Sequence, residues 1–405
     1  MTEQIVDHRD LYRLPFSLPD NAISWLEPTS MCNLACDGCY RENQKNAHKK
    51  LEEIKHDLDV FQSKRKTDCI SIAGGDPLIH PEITGIVAEI KSRGLKPIIN
   101  TNGLALNSKL LKELKKAGVY GFTFHVDSRQ GRPAEWRGKS EIELNELRYH
   151  YARMLADQGG ISCSFNSTVY ENTLKHVPAL VKWAGDNIDI VQTMVFICFR
   201  HVVPAMPFDW YAGGRQVDWQ TISYHSDKER KVDILSTDVL KKVRETYPDF
   251  SPSAYLNGTE KADSFKWLVT ERIGTKKKIY GYTGPKFVEL MMAAHHFIKG
   301  TYVSYVSPKL TGSGRAAMVF LSPFDKGLRK AAGNMLKNPL NLFKKTHFQN
   351  ITFIQPIDFL PDGRQSMCDG CPDVTVWNGE IVWSCRLEEL KNYGAFLRSV
   401  PKENN

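Results

Sequence analysis

An α/β fold built on a parallel sheet is the architecture this sequence predicts, and three observations predict it. Short runs of β-branched and aromatic residues recur through the first half, at 22–29, 68–74, 96–103, 120–127, 161–169 and 189–199. Between them lie segments whose apolar residues return every three or four positions, at 46–63, 81–93, 108–117, 140–158 and 173–187. Boundary residues fall where that alternation needs them: Pro81 and Ser108 suit helix starts, and Gly94 and Gly118 suit helix ends. Strands alternating with helices imply right-handed crossovers and parallel pairing. In such a sheet ligands gather at the C-terminal edge, on the loops that follow the strands.

Each element has its own signal. In 46–63, Leu51, Ile54, Leu58 and Phe61 share one helical face and charges take the other. After residue 200 the rhythm is lost. Residues 201–283 are rich in Trp, Tyr, Asp, Lys and Gly, with a helix expected around 236–247. "KFVELMMAAHHFIKG" predicts an apolar helix within 285–306, and 322–347 mixes Leu, Met and Phe with lysines until Pro339 interrupts it. The adjacent His295 and His296 leave a helix in different directions, so they cannot chelate one ion together. The last segment, "MCDGCPDVTVWNGEIVWSC", reads as a knuckle and two strands joined at Asn378-Gly379. The expected organisation is a barrel over 1–200, a helical or irregular substrate-binding insertion over 201–360, and a small β-hairpin module over 361–405. Residues 285–347 are expected to line or cover the path of an amphiphilic substrate.

Composition narrows the class. The chain has 405 residues, 41% hydrophobic and 25% charged, as ordinary globular proteins have. No run approaches the length of a membrane span, and the first residues carry no apolar signal region, so a cytoplasmic location is expected. Nine cysteines fit a reducing compartment, where the clustered ones are expected to act as metal ligands or catalysts rather than bridges. The net charge of +8 is modest, with a denser basic stretch near 326–346. This agrees with an anionic substrate or peripheral membrane contact, and no nucleic-acid partner is expected.

The chemistry lies in "MCNLACDGCYREN", which sets Cys32, Cys36 and Cys39 in the loop after the first strand. Three thiolates can hold a cubane cluster by three irons and leave the fourth iron open. Spacing alone also admits a zinc site with a remote ligand, or three unrelated cysteines. Further motifs follow in order at the strand ends: "AGGDP" (73–77), "NTNG" (100–103), "FHVDS" (124–128), "FNSTV" (165–169) and "MVFICF" (194–199). With them the chain resembles the radical S-adenosylmethionine (radical SAM) superfamily. The resemblance implies a partial (β/α)6 barrel with a 4Fe-4S cluster on the three cysteines. It implies SAM bound at the open iron and cleaved by one electron, giving a 5′-deoxyadenosyl radical that attacks a substrate. It places Gly74, Gly75 and Asp76 near the SAM amino group, with Asp76 where glutamate is usual. Asn100 and Asn102 are then expected at the ribose. Asp127, Asn166 and Ser167 are expected at the carboxylate and ribose, and Met194 near the adenine. An aromatic residue commonly precedes the third cysteine; here Gly38 stands there, and Tyr40 is the expected substitute.

A second group, Cys368, Cys371 and Cys385, spans the C-terminal hairpin. It resembles the SPASM/twitch modules that hold an auxiliary 4Fe-4S cluster, and a zinc knuckle is the other reading. Cys198 is the first candidate for a remote fourth ligand, while Cys69 and Cys163 read as buried hydrophobes. Arg129, Gln130, Arg132, Arg137, Arg200 and His201 sit at the expected active edge, as anion-orienting groups or as loop ion pairs. The expected function is a radical SAM enzyme acting on a small molecule or lipid, with flavodoxin or ferredoxin as electron donor. A peptide-modifying maturase is the second reading and a non-catalytic metal-binding protein the third. No catalytic side chain is assigned.

Overall fold

The computed structural model describes residues 5–402. Strands β1 (Ile23–Thr29), β2 (Cys69–Gly74), β3 (Lys96–Thr101), β4 (Gly121–His125), β5 (Ser162–Val169) and β6 (Thr193–Cys198) lie side by side in that order. Every neighbouring pair among them is parallel. Helices α1 (Leu51–Lys64), α2 (Ile83–Ser92), α3 (Ser108–Ala117), α4 (Asn145–Gln158) and α5 (Val177–Asp186) are the crossovers. Their apolar faces pack on the outward strand residues Ile70, Ile72, Ile99, Phe122, Phe124, Phe165 and Phe196 to make the main core. The boundaries follow the expected chemistry. The Asn107 side chain accepts from the first amides of α3, and Gly118 ends that helix with a left-handed φ of 97°.

The middle of the chain corrects the expectation of a helical or irregular insertion. Strands β7 (Ala254–Asn257), β8 (Phe265–Thr275), β9 (Lys278–Tyr282) and β10 (His347–Ile354) join the same sheet. β10 lies parallel beside β6, and β8 and then β7 follow antiparallel, with the short strand Tyr12–Arg13 at the far edge. The sheet thus has eleven strands and remains an open, partial barrel. These strands were hidden because their buried faces carry polar residues. Arg272, for instance, is buried and donates to Gln349 Oε1 at 2.8 Å and to the Val181 carbonyl at 2.8 Å.

Helix α6 (Ser236–Thr246) is the one expected around 236–247. Residues 285–347 lie at the other end of the sheet from the strand C-termini. After α7 (Pro285–Lys299), Ser304 donates to Asp68, Lys96 reaches the Tyr305 carbonyl, and the Tyr305 hydroxyl meets Thr123 at 3.2 Å. Asp68 and Lys96 stand at the N-terminal ends of β2 and β3, so this loop plugs the barrel from below. Helices α8 (Pro308–Thr311), α9 (Gly314–Leu321) and α10 (Lys326–Leu336) follow, and α9 and α10 pack against Ile273 and Tyr280 near the same end. The expectation that this segment lines the substrate path is therefore corrected. A cavity of about 830 Å³ between Arg244, Tyr247, Tyr280 and Gly284 opens at this end too, away from the clustered cysteines. As expected, the paired histidines part: His295 bonds the Thr301 carbonyl, and His296 bonds Asp20 at 2.8 Å.

The C-terminal hairpin, β11 (Val374–Trp377) and β12 (Glu380–Trp383), turns at Asn378 and Gly379, both with positive φ as the tight turn requires. Its knuckle bridges the gap that keeps the barrel open. The Asp369 amide donates to the Asn257 carbonyl on β7, while Asn21 and Arg65, beside β1, donate to the carbonyls of Gly370 and Cys371.

Candidate functional site

The loop from β1 to α1 is tied at both ends. Asn43 exchanges two hydrogen bonds with the Cys32 backbone, and Cys36 pairs in a short antiparallel bridge with Gln130 in the loop after β4. Amides of Leu34 and Arg41 donate to the sulfurs of Cys32 and Cys39. The Asn102 amide sits 3.8 Å from Cys32 Sγ. All three thiols are free and none belongs to the apolar core. Burial pushes the Cys36 thiol up, and the nearby Asp127 charge adds to this, while Arg132 opposes both.

Arg132 brings a positive charge near Cys36. Its side chain is buried, and it donates to the Asn102 and His125 carbonyls and to Gln130 Oε1. No carboxylate accepts from it among the described residues. Its charge acts on the buried Asp76 carboxyl as well as on Cys36, and it would favour the cysteines further when they ionise. Among the described residues, no three Cys, His, Asp or Glu side chains are gathered as a single ion needs. The soft three-thiolate donor set fits an iron–sulfur cluster.

At the end of β2, Gly74 has φ 98°, and a Cβ there would overlap the Thr29 carbonyl oxygen; one on Gly75 would overlap the Met31 carbonyl. The amides of Gly75 and Asp76 donate to these two carbonyls at 2.8 and 2.9 Å. The missing side chains therefore make room first for the cysteine loop itself. Gly75→Val is expected to displace residues 29–31, so that cluster content and SAM affinity fall together. Iron analysis beside SAM equilibrium dialysis checks this, and full iron with lost SAM binding would point to direct ligand contact instead.

Asp76 is buried, and its carboxylate accepts from Thr101 Oγ1 and from the amides of Asn102 and Leu78. Burial pushes this carboxyl up, although these donors oppose it. Its acceptors hold the β3 end against the β2 end. Asn100 donates to Ser71 at 3.0 Å, and Asn102 donates to Asn33 at 2.7 Å beside Cys32. Burial disfavours charge on Asp127, yet His125 at 2.9 Å and the Arg129 amide hold its carboxyl below the usual carboxylate range.

The second cysteine group lies around the hairpin, with Cys368 and Cys371 hydrogen-bonded to each other. The Cys371 thiol is raised by its hydrogen bond with Cys368 and by burial, and burial pushes Cys385 up to about 12. The two cysteine regions meet through buried Arg41, two residues past Cys39. Arg41 pairs with Glu27 on β1, with Ser384 at 3.0 Å and with Glu388 at 3.2 Å in α11 (Leu387–Tyr393).

A family model for the radical SAM superfamily matches residues 26–184, from β1 into α5. This stretch matches the superfamily's sequence pattern. Members of the superfamily are enzymes that use a 4Fe-4S cluster and SAM, and its SPASM/twitch members carry auxiliary clusters. The tungsten-containing aldehyde ferredoxin oxidoreductase cofactor-modifying protein of Pyrococcus furiosus is 35% identical over 25% of this chain and 30% of its own length. Fe-coproporphyrin III synthase of Methanosarcina barkeri is 23% identical over 49% of each chain. The chain thus spans half or less of these curated relatives. Among solved structures, Streptococcus suis SuiB bound to S-adenosylmethionine matches 57% of this chain and 48% of its own, at 14% identity and a TM-score of 0.40.

Several expected ligand residues are placed otherwise. Met194 and Cys198 belong to the outward core with Phe196, so Met194 faces helices, and Cys198 is turned from the C-terminal cysteines. Ser167 is buried with its hydroxyl 3.3 Å from Glu141, which pairs with buried Arg148 behind the sheet. Asn166 is the partly open neighbour on the opposite strand face. Tyr40 packs with Trp210 and Tyr224 under Arg41, at 5.0 Å from its guanidinium. The space beside Gly38 is filled instead by Tyr170 and Phe199, whose rings lie 5.0 Å apart. Sequence reading missed this pair because neither residue is near the cysteine motif in the chain. Of the edge residues, Arg129 donates to Asp37 and Arg200 to Asp358, both as local ion pairs. Arg137 is exposed, and His201 is buried with neither ring nitrogen hydrogen-bonded among the described residues.

Proposed function

We propose that this protein is a radical SAM enzyme whose Cys32, Cys36 and Cys39 hold a 4Fe-4S cluster. The cluster supplies the electron that cleaves SAM to a 5′-deoxyadenosyl radical, which acts on an organic substrate. The observation that supports the reading is the set of three free thiols at the C-terminal strand edge, beside a buried guanidinium that pairs with no carboxylate among the described residues. In this reading Asn100, Asn102 and Asn166 orient SAM, and Asp76 and Arg132 position the loops around it. Residues 201–235 cover the same edge, since Arg230 donates to Asp37 at 2.8 Å. We assign the substrate, a small amphiphilic intermediate, to the space beneath them. Cys368, Cys371 and Cys385 hold a second cluster, and a flavodoxin or ferredoxin in the cytoplasm supplies electrons.

Iron analysis after anaerobic reconstitution tests the two sites. The expected content is about eight irons per chain, falling to about four when either cysteine triad is replaced by alanine. A chain that takes up one zinc at either triad, and no iron, would contradict the assignment there.

A further inference from the structure

We propose that the face formed by α9, α10 and the turn after them docks this protein on an anionic lipid bilayer. The core claims one side of these elements: Met318, Leu328, Ala331 and Met335 are buried against Ile273 and Tyr280. On the outer side stand Val319, Phe320, Phe324, Leu336, Leu340 and Phe343, with Phe320, Phe324 and Phe343 at 72%, 70% and 84% exposure. A water-facing helix surface ordinarily carries polar residues there. Contiguous exposed aromatic and aliphatic groups mark an interaction surface.

Charge identifies the partner. Residues 308–346 contain eight lysines and arginines and one acid, Asp325, so this segment carries +7 of the chain's net +8. Asp325 is buried and spent on the amides of Gly284, Phe287 and Leu328. Only Lys330 meets a carboxylate, Asp249 at 3.4 Å, among the described residues. The surface therefore calls for a partner that is anionic outside and apolar just beneath, which describes an acidic bilayer. A second copy would bring +7 against +7. No helix of the described residues is long and apolar enough to cross a membrane, so the contact is interfacial. It lies at the end of the sheet opposite the clustered cysteines, and docking leaves that edge free. The inference stands independently of the proposed chemistry.

Flotation with phosphatidylcholine vesicles, with and without phosphatidylglycerol, tests it. The intact protein is expected to float only with the anionic vesicles and to release as salt rises. The double variant Phe320→Glu/Phe324→Glu should lose at least about tenfold in binding while its melting temperature is unchanged, since both rings are exposed. Protein that stays in solution with anionic vesicles at low salt overturns the proposal, as does a double variant that binds undiminished. A dimer broken by the same variant, without vesicle binding, would assign the face to a second copy and overturn it equally.

Discussion

Arg41→Met should lower unfolding free energy by about 3–5 kcal/mol, among the larger losses a single substitution here can cause. Arg41 is buried beside two buried acids, Glu27 and Glu388, and its guanidinium binds both as well as Ser384. Burial disfavours its charge, yet the two carboxylates outweigh burial and hold the guanidinium more firmly protonated than usual. Methionine fills similar space but leaves two carboxylates facing each other, with Lys391, at 3.0 Å from Glu388, the one cation left paired with them among the described residues. Part of the loss should return in the double variant Arg41→Met/Glu388→Gln, which removes one stranded charge. Because Arg41 follows Cys39 and Ser384 precedes Cys385, the single variant should also weaken iron retention in both triads. Urea denaturation measures the first effect and iron analysis the second. A loss below about 1 kcal/mol would mean that solvent reaches these acids and that Arg41 does not clamp the two regions.

How much of this was legible beforehand differs by element. β1 to β6 could be read because their outward faces are unbroken apolar sets, such as Ile70 with Ile72 and Phe122 with Phe124. β8 and β10 could not, because buried Arg272, Gln349, Thr270 and Thr352 interrupt the alternation; Arg272 and Gln349 bond each other and backbone carbonyls, and Thr352 donates to the Asn350 side chain. The first cysteine motif was legible only when its spacing was read together with the motifs at the strand ends. Which face a strand residue takes was not: both faces of these parallel strands are covered, so apolar and polar residues occur on each. That is how Ser167 and Met194 came to be assigned inward. Gly74 and Gly75 were singled out for close approach to SAM; in the structure it is the chain's own cysteine loop that approaches them. The pairing of Gly38 with Tyr170 and Phe199 depends on contacts across more than a hundred residues, which no local pattern encodes.

The other large effect concerns chemistry. Cys32, Cys36 and Cys39 lie in a loop outside the apolar core, so replacing all three by alanine should leave the fold intact. Near-native circular dichroism and an unchanged urea midpoint would establish that. The same triple variant should lose SAM cleavage altogether, because no other described thiol lies in this loop. Cys69, Cys163 and Cys198 are buried within strands, and the C-terminal triad is built into the hairpin. The direct test is 5′-deoxyadenosine formation under anaerobic conditions, with SAM and a strong reductant, in the reconstituted protein and in the triple variant. Reductant-dependent 5′-deoxyadenosine from the intact protein, and none from the triple variant, is the predicted result. Equal formation by both, or none from an intact protein carrying its full iron, would contradict the assignment of Cys32, Cys36 and Cys39 as the SAM-cleaving site.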